Sequence, residues 1–374
     1  MTCRGLAQLA AALIVSAWFF PLFAQAPEAP AVPAENGLRG LADIHAYASK
    51  AEQMDAVVPA CEKLEAAHLE DLAKTKEVTP ATRWVAAICP HDDYVYAGQV
   101  YVDAVKNVRA KTIILFGVCH RARPLGLKDK LIFDTFKQWR GPYGAIPVSP
   151  LREDIQRRLP KDEWLVSDEA QSVEWSVEGI VPWLQYYNRD VTIVSILVPH
   201  MDWPRTDAIA KDMGRVLAGL VKEKNLKLGE DVAFVMSCDA THYGDQWDDW
   251  AYDPFGCGVE GYVKAQAQDE ILVREFLDGT LERGKVQRLA ESLVDQKDVT
   301  RYKVTWCGRF SVTFGLAALT YMSQDLGRPP LVGVNTGYGT SIALGFLPFE
   351  KLGLSATAHE NLHHWVSYVA EGYR

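Results

Sequence analysis

An apolar run, DVAFVMS at 231–237, breaks into CDATHYG at 238–244, so a thiol, a carboxylate, a hydroxyl, an imidazole and a phenol crowd the end of what reads as a buried strand. Asp239 and His242 are the carboxylate and the imidazole of that stretch, and an imidazole can take up and return a proton near neutral pH. Two other stretches repeat the arrangement. WVAAIC at 84–89 runs into Pro90-His91, and KTIILFG at 111–117 runs into Val118-Cys119-His120. One histidine after a strand is commonly a hydrogen-bonded loop residue; three at equivalent places form a pattern. In open α/β sheets the ligand crevice lies outside the carboxyl ends of the strands. His91, His120, Asp239 and His242 are therefore placed to converge on one site.

That convergence requires a sheet. Further apolar runs occur at 191–198 (VTIVSILV), 331–335 (LVGVN) and 342–349 (IALGFLPF), and amphipathic segments such as 205–224, 264–279 and 309–327 lie between the runs. Continuous apolar strands separated by helices predict an α/β layered sandwich whose central sheet is covered by helices on both faces. Residues 37–80 read as charged helix, and residues 359–374 as an amphipathic helix with Leu362, Val366 and Val369 as its apolar stripe. No repeat or low-complexity tract follows residue 36, which predicts one domain over 37–374.

Composition narrows the partners. With 48% hydrophobic and 23% charged residues the chain of 374 can bury a large core, and a net charge of −9 excludes the basic footprint that nucleic acids or anionic membranes require. Arg4, the apolar run from Leu6 to Phe23 and the small residues Ala24-Gln25-Ala26 read as a signal peptide over 1–26, with an uncleaved anchor as the alternative. PEAPAVPAEN at 27–36 reads as a Pro/Ala-rich tether that packs as neither helix nor strand. The folded part is thus expected in the periplasm or secreted, and no later run reaches the roughly 18 apolar residues of a membrane span. Six cysteines remain beyond Cys3, with no C-x-x-C pair and no regular spacing; any pairing among them is open.

Seven stretches resemble one family in order along the chain. PHDDYVYAG at 90–98 is similar to the PHAGYxYSG of the MEMO family (AmmeMemoRadiSam system protein B), whose fold is related to the LigB-type class III extradiol dioxygenases. GVCHR at 117–121 resembles its GPSHH, GPYGAIPV at 141–148 its TPLGxVPV, and VEWSVEGIVPWL at 173–184 its EHSxExxLPFL. SCDATHYG at 237–244 resembles SSDxTHYG, WCGRF at 306–310 carries the CGR, and VNTGYGT at 334–340 resembles the closing YxxSGD. The resemblance implies a central mixed sheet and a metal held by His91, His120 and Cys307, most readily iron(II), with copper or zinc also suited to a thiolate. It places Asp239 and His242 beside the metal, His242 as acid/base and Asp239 as its orienting neighbour. Tyr94, Tyr96, Glu174, Trp175 and Tyr243 are then candidates for substrate contact.

The departures from the family pattern matter. Asp92-Asp93 stands where the family has Ala-Gly; the two carboxylates read as solvated, with metal binding or attraction of a cationic substrate as alternatives. Arg121 and Trp175 stand where the family has histidines. The expected activity is oxygen-dependent oxidation of an aromatic or phenolic small molecule. The alternatives are a non-catalytic module that binds metal or protein in the same cleft, and a metal-dependent hydrolase. His359-Glu360-Asn361-Leu362-His363 spells the H-E-x-x-H of zinc proteases, but it opens the last 16 residues of the sequence and Glu371 is the sole carboxylate after it, and the motif is read as incidental.

Overall fold

The apolar runs at 84–89, 111–117, 191–198 and 231–237 become four adjacent parallel strands, as continuous Val/Ile/Ala/Phe sequences buried on both faces should. The computed structural model describes residues 30–247 and 251–374; the expected signal peptide lies outside them. Ten of the described strands make one mixed sheet: β1 (Ala86–Cys89), β2 (Thr112–Val118), β3 (Leu131–Phe133), β4 (Trp164–Val166), β5 (Thr192–Val198), β6 (Val232–Ser237), β7 (Asp239–Tyr243), β8 (Gly279–Thr280), β9 (Val332–Thr340) and β10 (Trp365–Tyr373). Across the sheet the order is β8-β9-β10-β1-β6-β2-β5-β3-β4, with β7 paired to β10. The run β1-β6-β2-β5 is parallel, and β10 lies antiparallel to β1, β7 and β9.

Each sheet face carries its own core. Ile114, Phe116, Val194, Phe234 and Met236 pack with Met213, Leu217, Phe314 and Ala318, from α3 (Trp203–Glu223) and α4 (Ser311–Leu326). Gly214 allows α3 and α4 to touch, since a Cβ there would lie 2.7 Å from the Ala318 carbonyl. On the other face Ile113, Leu115, Ala233 and Val235 meet Val58, Val100 and Trp183, the first two helical residues coming from α1 (Ala51–Leu64) and α2 (Tyr94–Val105). At about 1.5–3 kcal/mol per fully buried aliphatic or aromatic side chain, these layers hold the strand ends in place. The result is the layered α/β sandwich with a central mixed sheet that the alternation and the resemblance imply.

Three local expectations are corrected. Residues 365–373 form β10, not a helix: the run WVSYVAEGY is rich in β-branched and aromatic residues and is buried on both faces between β1 and β9. Val366 and Val369 fitted a helical stripe because a strand buried on both faces carries apolar side chains on each, while Leu362 lies in the turn ahead of it. IALGFLPF is no strand; one helical turn (Ser341–Leu344) ends at Gly345, whose φ is +72°, and Pro348 offers no donor for a ladder. The helical stretch from 37 onward begins only at Ala51, after Leu38–Arg39 has paired in a small three-stranded sheet. Ahead of it, Val32 and Leu41 exchange backbone hydrogen bonds of 2.9 Å each way, so the described end of the Pro/Ala-rich stretch is fastened to the domain. Among the described residues no helix is long and apolar enough to cross a membrane.

Candidate functional site

The carboxyl ends of β1, β2 and β6 meet at one cleft of about 440 Å³ whose walls include His91, His120, Asp239, His242 and Cys307. His91 follows β1 by two residues and His120 follows β2 by two; the two strands run parallel on either side of β6, and their ends bring the rings to 5.2 Å, edge to face. Cys307 arrives differently. Thr241 bridges Trp306 in antiparallel fashion and Thr305 Oγ1 donates to the His242 carbonyl at 2.6 Å. Gly308 lets that turn close against the sheet, because a Cβ there would sit 2.3 Å from Cys238 Cβ. Cys307 thus occupies a 3-10 turn just ahead of α4.

Both strand-end imidazoles are clamped from behind. Ser237 Oγ has one hydrogen and donates it to the Ser176 carbonyl at 2.7 Å, so its 2.8 Å contact with His91 Nδ1 makes that nitrogen the donor. Nε2 of His91 is left as a bare lone pair; it is buried, makes no hydrogen bond, and lies 3.2 Å from Asp239 Oδ2. His120 Nδ1 is 2.8 Å from Glu174 Oε1, while Glu174 Oε2 accepts from the His120 backbone N–H. Burial works to raise the Glu174 carboxyl, but the His120 ring and the N–H groups of Ser176 and His120 outweigh it and hold it below the usual carboxylate range. Glu174 therefore orients His120 rather than lining the cleft.

On the other side the partners are each other. His242 Nε2 is 2.9 Å from Cys307 Sγ. Burial, then the positive charges of His120 and Arg309, pushes the His242 imidazole down to about 3, and burial with the Asp239 charge pushes the Cys307 thiol well up. Neutral thiol beside neutral imidazole is the resting pair. Asp239 Oδ1 accepts from the His91 backbone N–H at 2.8 Å, and burial followed by the Asp92 charge raises its carboxyl well above the usual range. One nitrogen each of His91 and His120 lies with Cys307 Sγ inside a 4.8 Å circle, and Asp239, His242 and Cys307 form a second such trio. An unprotonated ring nitrogen facing a carboxylate in a buried site is the arrangement a divalent cation stabilises, and two imidazoles with one thiolate suit iron, copper or zinc.

Not every candidate reaches the cleft. Tyr94 is core: it donates to the Gly179 carbonyl at 2.5 Å and packs on Tyr101 and Trp183. Tyr96 lies behind the wall near the Ala358 carbonyl and Phe346, and Tyr243 is buried on Trp365 with its hydroxyl on the Gly256 carbonyl. All three follow or sit in elements whose inner face is packed, which displaces them from substrate contact. Trp175 does line the cleft, stacked on His120 at 4.4 Å. Asp92 and Asp93 are held within the protein rather than simply solvated: Tyr368 donates to Asp92 at 2.6 Å, and the Thr357 N–H and hydroxyl donate to Asp93. Burial and the Glu360 charge raise the Asp92 carboxyl to about 6.

Other groups carry weaker sequence signals. Tyr47, Trp247, Glu360 and His364 also line the cleft. The last two fall in and beside HENLH, which is a turn closed by Asn361 and His364 rather than a helix. The neighbouring imidazoles His363 and His364 diverge: His363 pairs with Asp245 at 2.9 Å, whereas His364 stacks on Trp247 at 3.8 Å and lies 3.3 Å from Glu360. Burial lowers the His364 imidazole but the Glu360 carboxylate more than compensates, and the net shift is upward. Asp269 is fully buried and gathers Thr241, Trp306, Ser367 and Tyr338, tying the joint that presents Cys307. Nothing in KAQAQDEIL marks it.

Residues 47–328 match the family model described as Memo-like protein. Among curated proteins the chain is 25% identical over 245 residues to a MEMO1 family protein of Aquifex aeolicus, covering 65% of this chain and 75% of that one. It is 33% identical over 162 residues to one of Methanosarcina barkeri, covering 42% and 55%. Another, of Thermotoga petrophila, is 26% identical over 212 residues, covering 54% and 68%.

Proposed function

This chain belongs to the Memo-like protein family, and on that footing we propose that it is an exported non-haem iron protein that oxidises an aromatic or phenolic small molecule with dioxygen. One observation carries the reading. The two clamped imidazoles commit their Nδ1 atoms to Ser237 and Glu174 and leave Nε2 for a cation beside Cys307. His91, His120 and Cys307 would hold the ion, and the same donors accept copper or zinc. Iron(II), when bound there, supplies a redox centre able to pass electrons between an aromatic substrate and dioxygen.

The chain's own groups do the rest. A bound cation would favour loss of the Cys307 proton, and His242 Nε2, at hydrogen-bond distance from the thiol, would pass that proton on and exchange one with a substrate hydroxyl. Trp175 and Trp247 provide flat walls for a ring. Among the described residues, Asp43, Asp92, Asp93, Asp239 and Glu360 line the cleft against the guanidinium of Arg121, which favours a neutral or amine-bearing phenol over a carboxylated one. Retention of a proton-exchanging His242 supports turnover over mere sequestration. Export rests on the signal-like residues 1–26 and is read by cell fractionation.

Elemental analysis of protein purified without oxygen tests the metal. The expected result is near one iron per chain, lost in His91→Ala and Cys307→Ala variants whose circular dichroism is unchanged. Oxygen uptake should follow addition of amine-substituted phenols. Metal content untouched by both substitutions would sink the site, and loaded protein that consumes no oxygen with any phenol would leave a binding module.

A further inference from the structure

Outside the cleft, two groups of potential ligands among the described residues are not used by the proposed reaction, Glu65 with His68 and Asp103, and a second that includes a thiol. Asp245, Cys257 and His363 place a carboxylate oxygen, Sγ and an imidazole nitrogen within 4.8 Å of one another on the outer surface. We infer that these three residues form a second, rim-side site for a thiophilic divalent cation, zinc above all.

The three donors come from three segments that are already tied together. Gly244 and Tyr252 exchange backbone hydrogen bonds of 2.9 Å, which sets Asp245 at the mouth of the turn that returns to Cys257. The Gln246 N–H donates to the His363 carbonyl at 3.2 Å, and Gly244, at φ +131°, admits the turn at His363 so closely that a Cβ would lie 1.9 Å from the His363 oxygen. His363 Nδ1 already lies 2.9 Å from Asp245 Oδ1. Zinc bonds of about 2.0–2.3 Å place tetrahedral ligand atoms roughly 3.5 Å apart, so the trio needs only a small adjustment to close on the ion.

The chemistry of the trio fits a cation better than it fits a plain surface ion pair. Thiolate, imidazole and carboxylate are the three zinc donor types. Cys257 is the one described thiol that is not buried, and Asp245 and Asp253 both crowd it, the latter with Oδ2 3.9 Å from Sγ. Two carboxylates beside a thiol oppose its ionisation; a dication between them reverses the sign. Three protein ligands leave a fourth position for water. Asp245 is two residues from Trp247 and His363 adjoins His364, the stacked pair in the cleft wall. A cation at the rim therefore cross-links the two segments that carry this wall.

The test uses the full chain carrying His91→Ala and Cys307→Ala, so that loss of the cleft site cannot mimic loss of the rim site. Zinc titration should still give one equivalent, and adding Cys257→Ala or His363→Ala should weaken it by more than about 100-fold, beyond what loss of an outer-shell partner causes. In a parallel reading, zinc but not magnesium should slow iodoacetamide alkylation of the Cys257 peptide by about tenfold or more, since a coordinated thiolate is shielded. Unchanged zinc affinity in either rim variant, no zinc uptake in the double-variant background, or no protection of Cys257 would each overturn the site.

Discussion

The two halves of the cleft are built on opposite principles. His91 and His120 stand at the ends of parallel strands, and each has its Nδ1 held by a group that touches no ligand: Ser237, fixed by the Ser176 carbonyl, and Glu174, fixed by two backbone N–H groups. Cys307 and His242 come from a 3-10 turn and an antiparallel strand and hold one another. The first half fixes geometry in advance. The second holds a proton, because burial favours the neutral form of both the thiol and the imidazole.

Breaking the clamp should have the largest effect. Glu174→Ala frees the His120 ring while leaving all three proposed ligands in place, and should lower iron(II) affinity by about 10–100-fold as measured by competition with a chelator. An unchanged affinity would mean that the stack on Trp175, not the carboxylate, fixes the ring.

The proton-holding half predicts a pH dependence. Cys307 must lose one proton on coordination, and His242, depressed to about 3, cannot retain it in neutral solution. Iron(II) affinity should therefore rise about tenfold per pH unit between roughly pH 5 and 8. Calorimetric titration in buffers of different ionisation enthalpy counts the proton; a count of zero would place it permanently on His242.

A smaller effect concerns the metal-free fold. His91 and His242 are both held below their ordinary value, by burial first and neighbouring imidazoles second. The unfolded chain then binds more protons than the folded one below about pH 6.5, so stability is full above that value and falls as the pH drops toward 3, by at most about 1.4 kcal/mol per unit per imidazole. Thermal melts from pH 7 to 4 should show the decline, and His242→Phe should flatten it. A slope unaffected by that substitution would assign the loss to other groups.

Local sequence carried a good deal of this. The four inner strands, the helices at 203–223 and 311–326, and the grouping of His91, His120, Asp239 and His242 all follow from apolar runs ending in reactive residues, because a parallel strand buried on both faces is legible in composition and its carboxyl end is the rim of a crevice. Cys307 needed the family resemblance, since its approach depends on a bridge between Thr241 and Trp306 some 65 positions apart in sequence. Tertiary structure alone decided that Asp92 and Asp93 are hydrogen-bonded within the protein, that Tyr94 and Tyr243 face the core, that β10 is a strand, and that Asp269 ties the thiol's joint. Those outcomes depend on which surface a segment meets after the chain has closed on itself, and side-chain burial and long-range hydrogen bonds are properties of that meeting rather than of any stretch of residues.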